Sequence, residues 1–358
     1  MTDAIAPVRE LLDRFAGRRV LILGDAMLDH YIWGECGRIS PEAPIPVVTV
    51  RDESSRLGGA ANVAHNVRTL GGEPLLLSVI GQDETARQLR QALEGERIGT
   101  EQLVVDPGRP TVRKTRIIAR SQQVVRIDRE RTDELGGAVL EALSERIAAA
   151  LERAQAIVIS DYGKGVICAP LLERWLERFN LSGLPVCVDP KETHFHSYRG
   201  VTVLTPNLGE ASFASGTRIR DEATLEAAGR LLLSRLEARH LLITRGEEGM
   251  SLFTAGRPRL DIAAVGREVY DVTGAGDTVV GTLALALAAG ASMEDATRLA
   301  NHAAGCVIRE LGTSAVTREE ILASWIGAGG PDTSLPEPGE GPGATAEHRG
   351  RRGVRAAR

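Results

Sequence analysis

The chain has 358 residues, 43% of them hydrophobic and 25% charged, with a net charge of −5. This balance is ordinary for a soluble globular protein, and nothing in the total charge points to nucleic acid as the main partner. Only 3% of the residues are aromatic, so the core must be built from Leu, Ile, Val and Ala, which suits strands covered by helices on both faces. The four cysteines (Cys36, Cys168, Cys187 and Cys306) form no CxxC pair, which argues against a disulfide framework or a zinc site. With no leader pattern and no apolar run of bilayer length, the expectation is a cytoplasmic protein without membrane contact.

"RRVLILGDAMLD" reads as an apolar strand that breaks at Gly24-Asp25. The β-rich "IPVVTVRDESSRLGG" follows, and then "GGAANVAHNVRTLGG", a helix bounded at both ends by paired glycines. "EPLLLSVIG" is a strand and "ETARQLRQALEGERI" an amphipathic helix. "TVRKTRIIARSQQVVRIDRE" alternates as paired strands do and is dense in Arg and Lys; lid strands within about 31–57 and 111–130 are expected to form a small separate sheet. From there helix and strand alternate regularly, through "AIVISDYGKG", "APLLERWLERF", "PVCVDPK", "VTVLTPN", "ATLEAAGRLLLSRL" and "HLLITRGEEGMSLF". The chain then reaches "DVTGAGDTVVG" and two further helical stretches. The folded domain is expected over residues 1–326, with a disordered Pro/Gly-rich, basic tail over 327–358.

That alternation implies a mostly parallel sheet, whose ligands gather at the C-terminal edge of the strands. Five expected strand ends carry polar groups: Asp25, Asp161, Asp189-Pro190-Lys191, Asn207 and Thr244-Arg245-Gly246. The Gly274-Ala275-Gly276 turn opens a helix, where backbone N–H groups and the helix dipole favour an anion. Asp277 beside that site makes sense as a base that takes the proton of an attacking hydroxyl; a helix cap is the alternative. Lys191 is a candidate phosphate ligand or a surface lysine. Asn207 and Glu210, three residues apart, suit either the water shell of Mg²⁺ or an N-cap pair. Thr244, Arg245 and Gly246 shape a nucleotide pocket or an ordinary hairpin turn. Neither GxxxxGK[ST] nor GxGxxG after the first strand occurs, which excludes a Walker loop and a dinucleotide-binding unit. Asp25, Asp29 and Asn62 are suited to vicinal hydroxyls, and Lys114, Arg116, Arg120 and Gln122 suggest a sugar that already carries a phosphate; a solvated outer face is the alternative for the basic set.

"GGAANVAHNVRTLGG" and "DVTGAGDTVVGTLA" resemble the two sequence patterns of the ribokinase-like (PfkB) carbohydrate kinases, and the similarity runs from about Arg18 to Ser314. "RISPEAPIPVV", "ARSQQVVRID", "SDYGKG" and "LTPNLGE" resemble, within that family, the kinases of D-glycero-β-D-manno-heptose 7-phosphate. The resemblance implies a three-layer α/β/α sandwich with a mostly parallel central sheet and a small β-sheet lid. It implies ATP and Mg²⁺, with a monovalent cation as a further candidate, and phosphorylation at C1 toward ADP-heptose. By matching position, Asp277 is the base and Gly274, Ala275 and Gly276 the anion hole. Asn207 and Glu210 serve Mg²⁺ and phosphate, Lys191 lies near the phosphates, and Thr244, Arg245, Gly246 and Asn301 near the nucleotide. Asp25, Asp29, Gly58, Gly59 and Asn62 bind sugar hydroxyls, and Lys114, Arg116, Arg120 and Gln122 form the 7-phosphate end. The resemblance also implies a homodimer through the lid strands. Two departures stand out. No HxGH motif of a fused nucleotidyltransferase occurs, so the adenylyl step is expected on another chain; and Arg129 stands where relatives usually carry an aromatic residue. Other readings are a kinase of fructose 6-phosphate or ribose, or a non-catalytic sugar- or nucleotide-binding regulator.

Overall fold

A computed structural model describes residues 2–120, 122–265, 272–309 and 312–328. Asp271, which opens the glycine-rich motif, and the basic tail from 329 lie outside the described residues. Helix α1 (Thr2–Asp13) leads into β1 (Arg19–Gly24), after which β2 (Ala26–Ile39) and β3 (Pro46–Gly59) form a long hairpin. Next come α2 (Ala60–Thr69), β4 (Glu73–Ile80), α3 (Glu84–Gly95) and β5 (Leu103–Val105), then the hairpin of β6 (Arg113–Ala119) and β7 (Gln122–Arg129). Helix α4 (Gly137–Leu151), β8 (Ala156–Ser160), α5 (Ala169–Leu181), β9 (Val186–Asp189), β10 (Val203–Leu204), α6 (Leu208–Ser215) and α7 (Glu222–Leu236) continue the alternation. Strands β11 (His240–Thr244), β12 (Met250–Thr254) and β13 (Leu260–Ile262) precede α8 (Ala275–Ala288), α9 (Met293–Val307) and α10 (Arg318–Gly327).

The main sheet has the order β13-β12-β11-β10-β9-β8-β1-β4-β5, parallel except that β12, near one edge, runs antiparallel to both β11 and β13. The apolar strand β1 divides its side chains between the two layers, as a period of two requires. Val20 and Ile22 pack in the core under α2, α8 and α9, while Leu21 and Leu23 pack in the core under α4, α5 and α7. This is the expected three-layer sandwich. Five adjacent strands, β1, β8, β9, β10 and β11, end in Asp25, Asp161, Asp189, Asn207 and Arg245 or just before them, so the polar strand ends form one row. The chain leaves β1 for β4 on one side, and β8 flanks β1 on the other. The row therefore begins at a topological switch point, where open α/β sheets bind ligands.

The second sheet, of order β3-β2-β6-β7, is the lid. Its long strand differs from the expectation: β2 starts at Ala26, one residue past the end of β1, instead of near 31. A single non-strand residue, Asp25, therefore carries the chain from one sheet to the other, and the first buried residues of β2 sit at the site.

Candidate active site

Gly274 holds φ at 81°, a left-handed conformation that L side chains rarely adopt. A Cβ there would also lie 2.7 Å from Asn62 Nδ2. This turn places Asp277 in the first turn of α8, almost fully buried. Asp277 is not the N-cap: Gly274 occupies that position, and the carboxylate looks across to other elements. The Tyr162 hydroxyl donates to its Oδ1 at 2.8 Å and Asn62 Nδ2 donates to its Oδ2 at 2.9 Å. Burial pushes the Asp277 carboxyl up to about 7 against the pull of those two donors; the Asp29 charge pushes the same way and Lys114 opposes it. A carboxyl poised near neutrality is suited to general-base work.

Beside Asp277 opens a cavity of about 760 Å³, within the range of small-molecule sites. Gly274, Ala275 and Gly276 form one wall; Lys191, Asn207, Glu210, Thr244, Gly246 and Asn301 line the rest, so most of the expected nucleotide residues come together. Asn207 caps α6, accepting from the Glu210 N–H at 2.9 Å while Glu210 Oε2 accepts from the Asn207 N–H at 3.1 Å. The capping alternative is thus realised without removing either residue from the cavity. Lys191 Nζ lies 3.3 Å from Glu210 Oε1, and Asn301 Nδ2 donates to the Ala263 carbonyl at 2.8 Å.

Asp189 also lines the cavity. Burial raises its pKa well above the ordinary carboxylate range, and the charges of Asp277 and Glu210 add to the effect. Three carboxylates that repel one another around a cavity favour a divalent cation with hard oxygen ligands. Among the described residues no cluster of His, Cys, Asp or Glu could hold a metal by itself. The donor set therefore fits a divalent cation that is contacted through water and shares its oxygen ligands with a bound molecule.

On the lid side, Arg116 Nη1 lies 2.5 Å from Asp29 Oδ1 with both side chains nearly buried, and the Lys114 ammonium stands 5.4 Å from the Tyr162 ring centroid. Gly58 closes over Asp29, where a Cβ would meet Oδ2 at 2.4 Å. Gly59, with φ of 55°, opens α2, and a Cβ there would lie 2.4 Å from the Asp25 carbonyl.

Three expectations need correction. Asp25 does not present its carboxylate to a ligand: both oxygens accept backbone N–H groups, from Tyr162 at 2.9 Å, Lys164 at 3.1 Å and Val166 at 3.0 Å. Burial pushes its pKa up to about 6 against these donors. Arg245 turns its guanidinium out of the cavity into a cluster with Glu222, Glu248 and Asp261, because those carboxylates surround it. Arg120 sits at the β6–β7 turn and Gln122 opposite Ala119, both exposed. Six residues of strand, about 20 Å, separate Arg120 from Lys114, so within one chain these two do not join Lys114 and Arg116. Tyr162, inside "SDYGKG", has no signal of its own in the sequence, and Asp189 is marked there only as one of the polar strand ends, with no specific task.

Residues 18–320 match the pfkB family carbohydrate kinases. The chain is 47% identical to the bifunctional protein HldE of Citrifermentans bemidjiense over 91% of its own length and 67% of that relative's. It is 44% identical to the bifunctional protein HldE of Caulobacter vibrioides, over 95% and 68%. It thus spans about two thirds of the length of these relatives. Two solved structures share the fold. Arabidopsis thaliana ribokinase complexed with ribose and ATP has a TM-score of 0.69 at 20% identity, covering 86% of this chain and 98% of the other. Escherichia coli phosphofructokinase-2 in complex with substrates and products has a TM-score of 0.70 at 18% identity, covering 87% and 99%. With a buried carboxylate between a glycine-opened helix and a basic lid, and this match over most of its length, the chain belongs to the pfkB family of carbohydrate kinases.

Proposed function

We propose that the chain transfers the γ-phosphoryl group of ATP to the C1 hydroxyl of D-glycero-β-D-manno-heptose 7-phosphate. The observation that carries this reading is Asp277, held by Tyr162 and Asn62 directly after the Gly274–Gly276 wall of the 760 Å³ cavity, with the charges of Asp29 and Lys114 of the lid acting on it. Asp277 takes the proton of the sugar hydroxyl as its oxygen bonds to the γ-phosphorus, and the bond to ADP breaks. The first N–H groups of α8 face the charge that builds on the phosphoryl oxygens. Mg²⁺, contacted through water by Asn207 and Glu210 beside Asp189, would supply neutralisation of the phosphate charge. Lys191 serves the nucleotide phosphates. Asp29 holds sugar hydroxyls, and the cations Lys114 and Arg116 favour a substrate with a second phosphate. The similarity to the HldE proteins, at 47% identity, supports the heptose assignment.

The lid pairs with a second copy. Val125 and Ile127 on β7 are about half exposed, and register places them on the face opposite Asp29, Lys114 and Arg116. Arg120 and Gln122, at the lid tip, serve a substrate only across such a pair.

The test is ADP release with heptose 7-phosphate, fructose 6-phosphate and ribose, with the product read by phosphorus NMR. A new anomeric phosphate on the heptose is expected. Equal rates on ribose overturn the heptose reading, and heptose binding without ADP release overturns the kinase reading.

A further inference from the structure

We infer that Tyr162 is a positioning residue, holding one oxygen of the Asp277 carboxylate while its loop ties that carboxylate to the lid. This rests on the reading of Asp277 as the base. A carboxylate offers about four lone-pair directions. One donor on each oxygen, Tyr162 on Oδ1 and Asn62 on Oδ2, fixes the plane of the group and leaves a lone pair free for the proton of the sugar hydroxyl. Burial and the Asp277 charge push the Tyr162 phenol well above its ordinary value, so the hydroxyl keeps its proton and has it to donate to Asp277.

The loop that carries Tyr162 is held at several points. Asp25 accepts three of its backbone N–H groups. Asp161, at the head of the loop, accepts from Gly163 N at 2.8 Å and from the Tyr198 hydroxyl at 2.6 Å, and pairs with His194 at 3.0 Å. Two lid contacts end on the same loop. Lys164 Nζ reaches Glu130 Oε1, just past β7, at 2.7 Å, and Lys114 of β6 stands over the Tyr162 ring. The Tyr162 hydroxyl is then the last link from the lid to the base, and the phenyl ring without it keeps the packing and loses the link.

The decisive variant is Tyr162→Phe in the full chain, assayed with ATP, Mg²⁺ and heptose 7-phosphate. The loss of a hydrogen bond to a charged group predicts a kcat lower by about ten- to a hundredfold, with KM for both substrates within about twofold. The charged groups around Asp277 are Asp29, Lys114 and Asp189; these remain, so loss of the donor alone moves the acid limb of the profile to higher pH. Wild-type kcat with an unmoved limb overturns the inference. Lys164→Met and Glu130→Gln should each lower kcat, and the exchanged pair Glu130→Lys with Lys164→Glu should recover it; wild-type rates in both single variants sink the lid link. Asp277→Asn, run in parallel, separates the failures: if it turns over normally the base reading falls, and if it is inactive while Tyr162→Phe is normal only this inference falls. A readout free of turnover is the carbon-13 titration of the Asp277 carboxyl, assigned by its loss in Asp277→Asn. Its midpoint should rise in Tyr162→Phe, and an unchanged midpoint counts against the inference.

Discussion

Asp277 and Asp25 are both buried aspartates at the same sheet edge, and their hydrogen bonds assign them opposite work. Asp277 has side-chain donors that leave lone pairs free, whereas the oxygens of Asp25 are taken by backbone N–H groups of one loop. As the proposed base, Asp277 acts when ionised, and burial pushes its carboxyl in the free protein up to about 7. It is protonated below that value, so kcat/KM, which reports the free enzyme, should fall as the pH drops through about 7. Asp277→Asn removes the base at nearly constant shape and should lower kcat by about a hundredfold to ten-thousandfold, measured as ADP release at pH 8. Asp25→Ala belongs to stability instead: it leaves three backbone donors without their acceptor. Its cost should be on the order of 3 kcal/mol, read from urea denaturation. A wild-type midpoint combined with a raised KM for the sugar would return Asp25 to the sugar site.

Among the elements, the antiparallel pairing of β2 with β3 is what seats Asp29. Gly58 lies opposite Met27 and closes on the Asp29 carboxylate. Gly58→Ala puts a methyl group 2.4 Å from Oδ2 and 2.9 Å from Met27 Cγ, so Asp29 has to leave its bond with Arg116. The KM for the sugar should rise roughly tenfold or more while that for ATP holds, in steady-state titrations of each substrate. These elements also mark what was legible in the sequence. Apolar strands ending in polar residues are a pattern of types, so the row from Asp25 to Thr244 and the helix behind Gly274 could be read directly. Partners are not written in types. "LGDAMLD" has no turn signal beyond Gly24-Asp25, so it read as the end of a strand. In the fold one residue suffices to pass from sheet to lid. Arg245 reads as a nucleotide ligand until Glu222, from a helix two elements earlier, is seen to capture it. Tyr162 has no signal of its own, because its hydroxyl acquires a task only when a helix 115 residues later arrives beside it.

For the whole molecule the lid poses the remaining question, because its two faces differ. Register puts Asp29, Tyr31, Lys114 and Arg116 on the face toward the site, and Ile32, Ile117, Val125 and Ile127 on the other. Ile32 and Ile117 are half-buried, while Val125 and Ile127 are 45% and 54% exposed on the edge strand β7. An exposed apolar edge strand invites pairing with another chain. Val50 of β3, at the opposite edge, is also 49% exposed, so both rims of the lid carry apolar surface. A second copy of the same lid matches such a surface, since a two-fold axis sets like patches against each other. Two aspartates on β7, Val125→Asp with Ile127→Asp, would place charge in the middle of that contact and leave the main sheet untouched. In sedimentation velocity the wild-type chain should run as a dimer and the double variant as a monomer. The variant's thermal midpoint should stay close to that of the wild-type main domain. A wild-type monomer, or a dimer that survives both aspartates, would mean that the apolar face of the lid has another use.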